Sequence, residues 1–491
     1  MPKSPLPRTT PESQGLNSAA IHAFLDAIDA RNDLDLHSLM ILRHGNVLAE
    51  GWWHPYRHDQ LHLLYSLSKS FTSAAAGIAE AEGLISLDDR VVDVFAEHAD
   101  VVTDDRMREL TLRQCVRMAT GHREDALERA HRAAPDDLVR GFLSVPLDEE
   151  PGSIFSYNNA ATFVVGAAVQ KASGEDLVSF LTPRLFRPLG IERAYWQTDT
   201  QGRNLGFSGL HLTTESIARF GQLIIQGGRF EDQQLLPAEW LALATSKQTD
   251  NSNREGGPDW QQGYGYQFWI ARHGFRGDGA YGQFCVMLPE LDAVVAITSA
   301  SNDLQAVLDA VWDELLPGFA DAPLPADPTA VAVLRQRLDQ LALPTVGAAD
   351  WRPPAVQEWT ADQPLELTKI ESVGNDEFLI TVQGDQQSDG SSDSPRVDPG
   401  AGVGVPLTFR CGIGHWTDGV IDVDGAELPY AGSVSGSVDG ALDAEISFLQ
   451  APHRLRIHRN TDGAVEIGWY TTPLAPPSPH LLATRPIDLP R

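Results

Sequence analysis

The spacing of apolar residues changes character several times along the chain. From Ser18 to Ala30, SAAIHAFLDAIDA repeats its apolar positions every three to four residues, which predicts a helix with one buried face. SLMILRHGNVLAEGWW, from Ser38 to Trp53, reads as two strands turning on Gly45-Asn46. Helical period then dominates, over Ser66 to Gly83, Thr111 to Met118, Ala160 to Ser173, Leu177 to Phe186 and Thr214 to Gln226. GYGYQFWIARHG and FRGDGAYGQFCVMLPELDAVVAITSA return to strand character, joined by glycine turns, and a helix from Leu304 to Leu316 follows. A last helical stretch, Ala330 to Leu341, gives way to a Pro-containing segment, PTVGAADWRPPAVQEW. Beyond it LELTKIES, EFLITVQ, PLTFRCGI, AEISFL, HRLRIHR and AVEIGWYT are all strand-like, with almost no helical period.

A hairpin, a long helical middle, further strands and a closing helix predict an α+β fold. One antiparallel sheet is flanked by helices, a helical lobe stands beside it, and the two ends of the first domain are sewn into the same sheet. The expected organisation is a first domain over 1–342, a linker over 343–358 and a small all-β domain over 359–491. Within the last, GDQQSDGSSDSPRVDPGAGVG at 384–404 is a polar insertion with too little apolar surface to fold alone.

With 491 residues, 42% of them hydrophobic, the chain can bury a large core. Its 67 acidic and 37 basic side chains give a formal net charge of -30, which repels nucleic acid and anionic membranes and excludes both as partners. The charge is spread along the chain and reads as a solvated exterior. Cys115, Cys285 and Cys411 lie far apart amid apolar neighbours, as buried free thiols in a reducing compartment would. The start, MPKSPLPRTTPESQG, has no apolar core of a signal peptide, and no apolar run is long enough for a bilayer. A cytoplasmic protein is expected.

Three short segments hold candidate chemistry. Ser66-Leu67-Ser68-Lys69 opens the Ala-rich run SLSKSFTSAAAGIAEAEG. Offsets of three share a helix face, so a lysine sunk among Leu64, Leu67 and Phe71 could take the proton of Ser66. Alternatively, Ser66 or Ser68 caps the helix and Lys69 is a solvated first-turn charge. PGSIFSYNNA at 151–160 puts Tyr157 and Asn159 in one loop before an apolar helix, where Asn159 is also a good N-cap and Tyr157 a packing residue. Ala280-Tyr281-Gly282-Gln283 puts a glycine on a strand edge, where a ligand can approach the backbone and the next N–H is left to donate; a glycine bulge fits as well.

In this order and spacing the three segments resemble the serine β-lactamase and penicillin-binding-protein superfamily. More narrowly, the chain is similar to the class C β-lactamase-like hydrolases, among them esterases, D-amino-acid peptidases and 6-aminohexanoate-dimer hydrolases. LTLRQCVRMATGH at 110–122, RLFRPLGIERAYW at 184–196 and GFSGLHLTTESIARFGQLIIQGG at 206–228 match further landmarks of that group, the last with Ser208 in place of one glycine. The resemblance spans about residues 10 to 320. It implies a β-lactamase/transpeptidase-like fold and a serine hydrolase acting on an ester or amide. Ser66 would be the acylated nucleophile, Lys69 its proton acceptor, and Tyr157 the partner base and leaving-group acid. Asn159 would bond Lys69 or the substrate amide, and the N–H groups of Ser66 and Gln283 would form the oxyanion hole, with Tyr281 and Gly282 beside the substrate.

One departure bears on the substrate. Where β-lactamases carry Lys-Thr-Gly or a relative, this chain has Ala280-Tyr281-Gly282, with no cation to grip an anionic β-lactam. Neutral or differently placed esters and amides are favoured, and Tyr157 must rely on Lys69. Tyr264, Tyr266, Phe268, Trp269 and Tyr281 would either line an acyl pocket or fill the core. Two alternatives to an ester- or amide-cleaving hydrolase are a true β-lactamase or D,D-peptidase, and an inactive relative that binds a ligand or partner in the same cleft. His54, His58 and His62 recur every four residues, but Pro55 breaks any helix that would align them as metal ligands. The glycines at 400–404 lack the Lys-Ser/Thr of a phosphate loop. No metal or cofactor is expected.

Overall fold

The computed structural model describes residues 5–348, 365–374, 376–384, 405–438, 440–474 and 478–489. Residues 349–358 of the expected linker, the first residues of the expected β domain, 359–364, and all but the first residue of the polar insertion at 384–404 lie outside the described residues.

Helix α1 spans Ser18–Asp29, capped by the Asn17 side chain. The hairpin follows as β1, Leu36–Arg43, and β2, Asn46–Trp52, and the tight turn between them uses positive φ at His44 and Gly45. Most of the Ser66 to Gly83 run becomes α2, Ser68–Ala81, and the apolar run after Tyr157 becomes α3, Asn159–Ser173. Helix α4 covers Thr214–Ile225. Strands β3, Trp269–Ile270, β4, Phe275–Gly279, β5, Gln283–Leu288, and β6, Ala293–Ser299, come next, and α5, Leu304–Ala310, continues as a wider turn to Leu315. The six strands form one sheet in the order β2-β1-β6-β5-β4-β3, every pair antiparallel. Because β1 lies directly against β6, the two ends of this region share one sheet, as its sequence pattern predicts.

Both faces of the sheet are covered, which is why β1, β5 and β6 are buried at every position. Leu39, Ile41, Phe284, Val286, Val295 and Ile297 pack with Ile21, Phe24, Val307 and Trp312 on one side. Met40, Leu42, Cys285, Met287, Val294 and Ala296 face α2 and α4 on the other. Alternate residues of a strand thus enter two different cores. Helix α2 is buried from Ser68 to Ala79 because its alanines let neighbours close in, and Gly77 leaves room for the Trp240 ring, which a Cβ would meet at 2.6 Å. Its hydroxyls tie it down: Ser68 Oγ accepts from Leu210 N, and Ser70 and Thr72 donate to the carbonyls of Gln267 and Gly206.

Eight further strands form a second sheet: β7, Leu365–Val373; β8, Glu377–Gly384; β9, Leu407–Ile413; β10, Thr417–Val423; β11, Ala426–Gly436; β12, Leu442–Phe448; β13, His453–Arg459; and β14, Val465–Trp469. The order is β7-β8-β9-β11-β12-β13-β14, with β10 on β11, and contact between β7 and β14 curls the sheet into a barrel-like shape. Phe378, Ile380, Phe409, Leu428, Ile446, Leu455 and Trp469 fill its interior. The first residues of the expected linker are packed, not free: Trp416 Nε1 donates to Leu343 O, and Val346 N donates to Ser433 Oγ. Near the end of the chain, Ile487–Asp488 pairs with the strand Arg193–Trp196 of the first region. Cys115, Cys285 and Cys411 are free and buried. Among the described residues, no helix is long and apolar enough to cross a membrane.

Candidate active site

Ser66 lies in a single 3-10 turn, Tyr65–Leu67, immediately before α2. The capping alternative for this segment does not hold. Neither Ser66 nor Ser68 caps α2, whose N-cap position is Leu67 with no side-chain bond, and Lys69 is 1% exposed. Its Nζ reaches Ser66 Oγ at 2.9 Å, Asn159 Oδ1 at 2.6 Å and Phe207 O at 2.8 Å. A neutral amine has two N–H bonds and one lone pair. The two carbonyl oxygens take the N–H bonds, so the lone pair is left for the Ser66 hydroxyl. Burial brings the Lys69 pKa down to about 7, against the opposing pull of Asp125 and Asp278.

Tyr157 and Asn159 enter from the start of α3. Asn158, not Asn159, caps that helix by accepting from Ala161 N, which frees the next side chain to turn toward Lys69. Asp125 fixes it there, accepting from Asn159 N at 2.9 Å and from Nδ2 at 2.7 Å. Asp125 thereby anchors the Nδ2 end of the amide, which turns its Oδ1 toward the amine. Tyr157 lies beside Ser66, whose hydroxyl opposes the rise of its pKa, and Lys69 Nζ lies 4.8 Å from its ring centre. Its ring stacks on Trp269 at 5.3 Å, with Tyr264 edge-on at 6.1 Å. Burial and the Asp278 charge push its pKa well above that of an ordinary phenol, so the group remains a proton-bearing hydroxyl at neutral pH.

The third segment is arranged differently from the expectation. Gln283 is fully buried, and its amide bonds Ala280 O and Ser299 O inside the sheet. Gly282 spends its N–H on Gly279 O, and a Cβ there would meet Ser299 Oγ at 2.3 Å, so its bare side faces the interior, not a ligand. Tyr281 leans away to donate its hydroxyl to Thr472 O of the second sheet. The backbone that touches the Ser66 turn is β4: a Cβ on Gly279 would lie 2.1 Å from Leu64 O, and one on Gly277 2.5 Å from Leu67 Cδ1. Among the described residues, neither Ser66 N nor Ala280 N donates a hydrogen bond.

Nor is this strand uncharged. Arg276 and Asp278, both buried on β4, pair at 2.9 Å, and Asp278 is close enough to act electrostatically on Lys69 and Tyr157. Burial raises the Asp278 carboxyl while the guanidinium opposes it. The alternation Arg-Gly-Asp across β4 was the available signal, since 276 and 278 must share a face. Asp125 and Arg254 also went unnoticed, because nothing local marks them. The expected aromatic cluster divides. Trp269 and Tyr264 back Tyr157, Tyr266 packs on Trp240, Phe268 meets Phe275, and Tyr281 sits against Tyr65 and His453.

A buried amine on a serine hydroxyl, at the mouth of a helix beside an antiparallel sheet, defines the class of serine hydrolases. The chain belongs to the Beta-lactamase family, whose model matches residues 24–316. It is 25% identical over 289 residues to the 6-aminohexanoate-dimer hydrolase of Paenarthrobacter ureafaciens, covering 54% of this chain and 73% of that protein. The lovastatin esterase of Penicillium rubens is 25% identical over 203 residues, covering 37% of this chain and 50% of the esterase. In fold, the chain is similar to EstCE1, a hydrolase with promiscuous acyltransferase activity, with a TM-score of 0.51 at 18% identity over 60% of this chain and 98% of that one.

Proposed function

We propose that the protein cleaves an ester or amide bond through a covalent acyl-enzyme on Ser66. The observation that carries this reading is the 2.9 Å contact between Ser66 Oγ and a buried Lys69 whose pKa is brought to about 7. Ser66 Oγ attacks the carbonyl carbon while Lys69 takes its proton, and the proton passes through the Tyr157 hydroxyl to the departing oxygen or nitrogen as that bond breaks. Water then attacks the acyl carbon and restores Ser66. The free N–H groups of Ser66 and Ala280 replace the Ser66 and Gln283 pair as oxyanion donors, and loss of one such donor typically costs about 3 kcal/mol of transition-state stabilisation.

A fluorophosphonate probe tests the nucleophile. Displacement of fluoride by Ser66 Oγ should add the phosphonyl mass to the tryptic peptide that contains Ser66, and Ser66→Ala should abolish the addition. An unlabelled wild type, or labelling that persists in Ser66→Ala, would sink the assignment. Comparing a short-chain nitrophenyl ester, a linear amide dimer and a chromogenic cephalosporin then ranks the substrate classes.

A further inference from the structure

A cation stands beside Tyr157 although Ala280-Tyr281-Gly282 of this chain supplies none. Arg254 comes from the loop before β3 and lies half-buried over the ring of Tyr157 and the Trp269 ring stacked on it, 5.9 Å from the Tyr157 ring centre and 5.3 Å from that of Trp269. Its guanidinium makes no ion pair and donates no hydrogen bond among the described residues, and its buried Nε has no partner. This is unusual in a chain with 67 acidic side chains, where most arginines find a carboxylate. The nearby carboxylates are already engaged: Asp278 by Arg276 at 2.9 Å, and Asp125 by Asn159 N and Nδ2. In the same turn, Arg254 N donates to Asn251 O, and Asn251 is fully buried with both side-chain amide atoms unpartnered. A buried Nε without a partner, in the same turn as an unsatisfied buried amide, is a costly arrangement unless something polar completes it.

We propose, resting on the hydrolase reading above, that Arg254 recognises a carboxylate on the leaving-group side of the substrate, so that the favoured substrates are esters or amides whose departing group is an acid. The planar guanidinium has donors in the fork geometry that a carboxylate accepts, and aromatic rings beneath it fix its plane. The side follows from Tyr157. Arg254 stands over the phenol that hands its proton to the departing atom, so an anion held by Arg254 belongs to the departing group. The sequence pattern, with no lysine at Ala280, favoured neutral or differently placed substrates; Arg254 makes the second alternative specific.

The test uses a matched pair, 4-acetoxybenzoate and its neutral methyl ester, methyl 4-acetoxybenzoate. The neutral compound has the better leaving group, so intrinsic reactivity works against the expected preference. Wild-type kcat/KM should be at least about tenfold higher for the carboxylate, mostly through KM, a factor that corresponds to about 1.4 kcal/mol. Arg254→Gln should collapse the ratio, and Arg254→Lys, which keeps a point charge without the fork, should retain part of it. Calorimetry of both compounds with Ser66→Ala reads binding without turnover, and adding Arg254→Gln should erase the difference in Kd. A wild-type ratio of one or less, or a ratio unchanged in Arg254→Gln, overturns the assignment while leaving the hydrolase reading intact. Arg254-dependent binding of the carboxylate with no turnover of either compound keeps Arg254 as the ligand of the carboxylate, but overturns its placement on a leaving group and defeats the hydrolase reading.

Discussion

Acylation should switch off in acid at the pKa of one buried amine, and replacing Lys69 with arginine should abolish it. Burial moves Lys69 from 10.5 to about 7, which at 1.36 kcal/mol per pH unit is about 5 kcal/mol against the charged form. An amine whose folded pKa lies below its unfolded value gives up its proton more readily when folded, so the competent neutral form is gained as pH rises through about 7 and lost as pH falls below it. At pH 7 about half of the molecules hold a neutral Lys69, against fewer than about one in a thousand for an ordinary lysine. For a nitrophenyl acetate substrate, kcat/KM should climb about tenfold per pH unit below the midpoint and level off above it. Two pH units below, it should be about a hundredfold down. Arginine keeps its charge at every accessible pH, so Lys69→Arg should lose the general-base contribution of about 10²- to 10⁴-fold. Stopped-flow nitrophenolate release from pH 5.5 to 9 measures the profile, with circular dichroism at each pH to establish that the chain is folded. A flat profile, a midpoint above pH 9, or Lys69→Arg with more than a tenth of the activity would falsify the role of the amine.

Two further outcomes follow from buried charge. Asp278→Asn leaves the Arg276 guanidinium buried without its counter-ion and should cost about 3 to 5 kcal/mol in urea denaturation. It should also move the acid limb of activity to lower pH, because the Asp278 charge favours protonated Lys69; an unchanged urea midpoint together with an unchanged limb contradicts both. His62, His122, His211 and His453 are held neutral by burial, with pKa values of about 3, 4, 4 and 3. Each binds its proton more tightly when unfolded, so their stabilisation is complete above pH 6.5 and is lost at up to about 1.4 kcal/mol per pH unit per histidine as pH falls toward those values. The urea midpoint should therefore drop between pH 6.5 and 5, and a midpoint that holds steady across that range refutes the assignment.

What could be read from the sequence was whatever chemistry is local. Ser66 and Lys69 are one helical turn apart, and Tyr157 and Asn159 are two residues apart, so both pairs stand out locally, and the family resemblance implied their roles. Asp125 is legible only once the chain has folded, because 34 residues separate it from the Asn159 it orients. Arg254 is likewise placed by packing on Trp269, which no local pattern announces. The placement of Gln283, whose side chain is buried within the sheet, was hard to read for a different reason. Side chains and N–H groups alternate along a strand, so misjudging the turn between β4 and β5 by a residue or more exchanges inward and outward groups. In the second region, β10 and β11 escaped notice although Asp424-Gly425 marks their hairpin, because Pro429 and the glycines of AELPYAGSVSG argue against a strand. Helices Leu127–Ala133 and Leu138–Ser144 are two turns each, too short for a period to emerge.

Tyr65 joins the β-rich region to the chemistry. It has φ +46, a left-handed conformation that costs a bulky residue about 1 to 3 kcal/mol and persists only where surroundings enforce it. That conformation turns the chain from the short strand His62–Leu63 into the 3-10 turn and leaves Ser66 at the mouth of α2. The enforcement comes from the second sheet. His453 on β13 faces Thr471 O with Nδ1 at 2.8 Å, so Nδ1 carries the proton and Nε2 accepts the Tyr65 hydroxyl at 2.6 Å. Tyr281, from the hairpin that bears Ala280, packs edge-on against Tyr65 at 5.8 Å and donates to Thr472 O. One stretch of the second region therefore holds both Tyr65, the residue before Ser66, and Tyr281, the residue after Ala280. The two backbone N–H groups proposed as oxyanion donors, those of Ser66 and Ala280, thus each lie next to a residue held by the β-rich region, which ties that region to the candidate site.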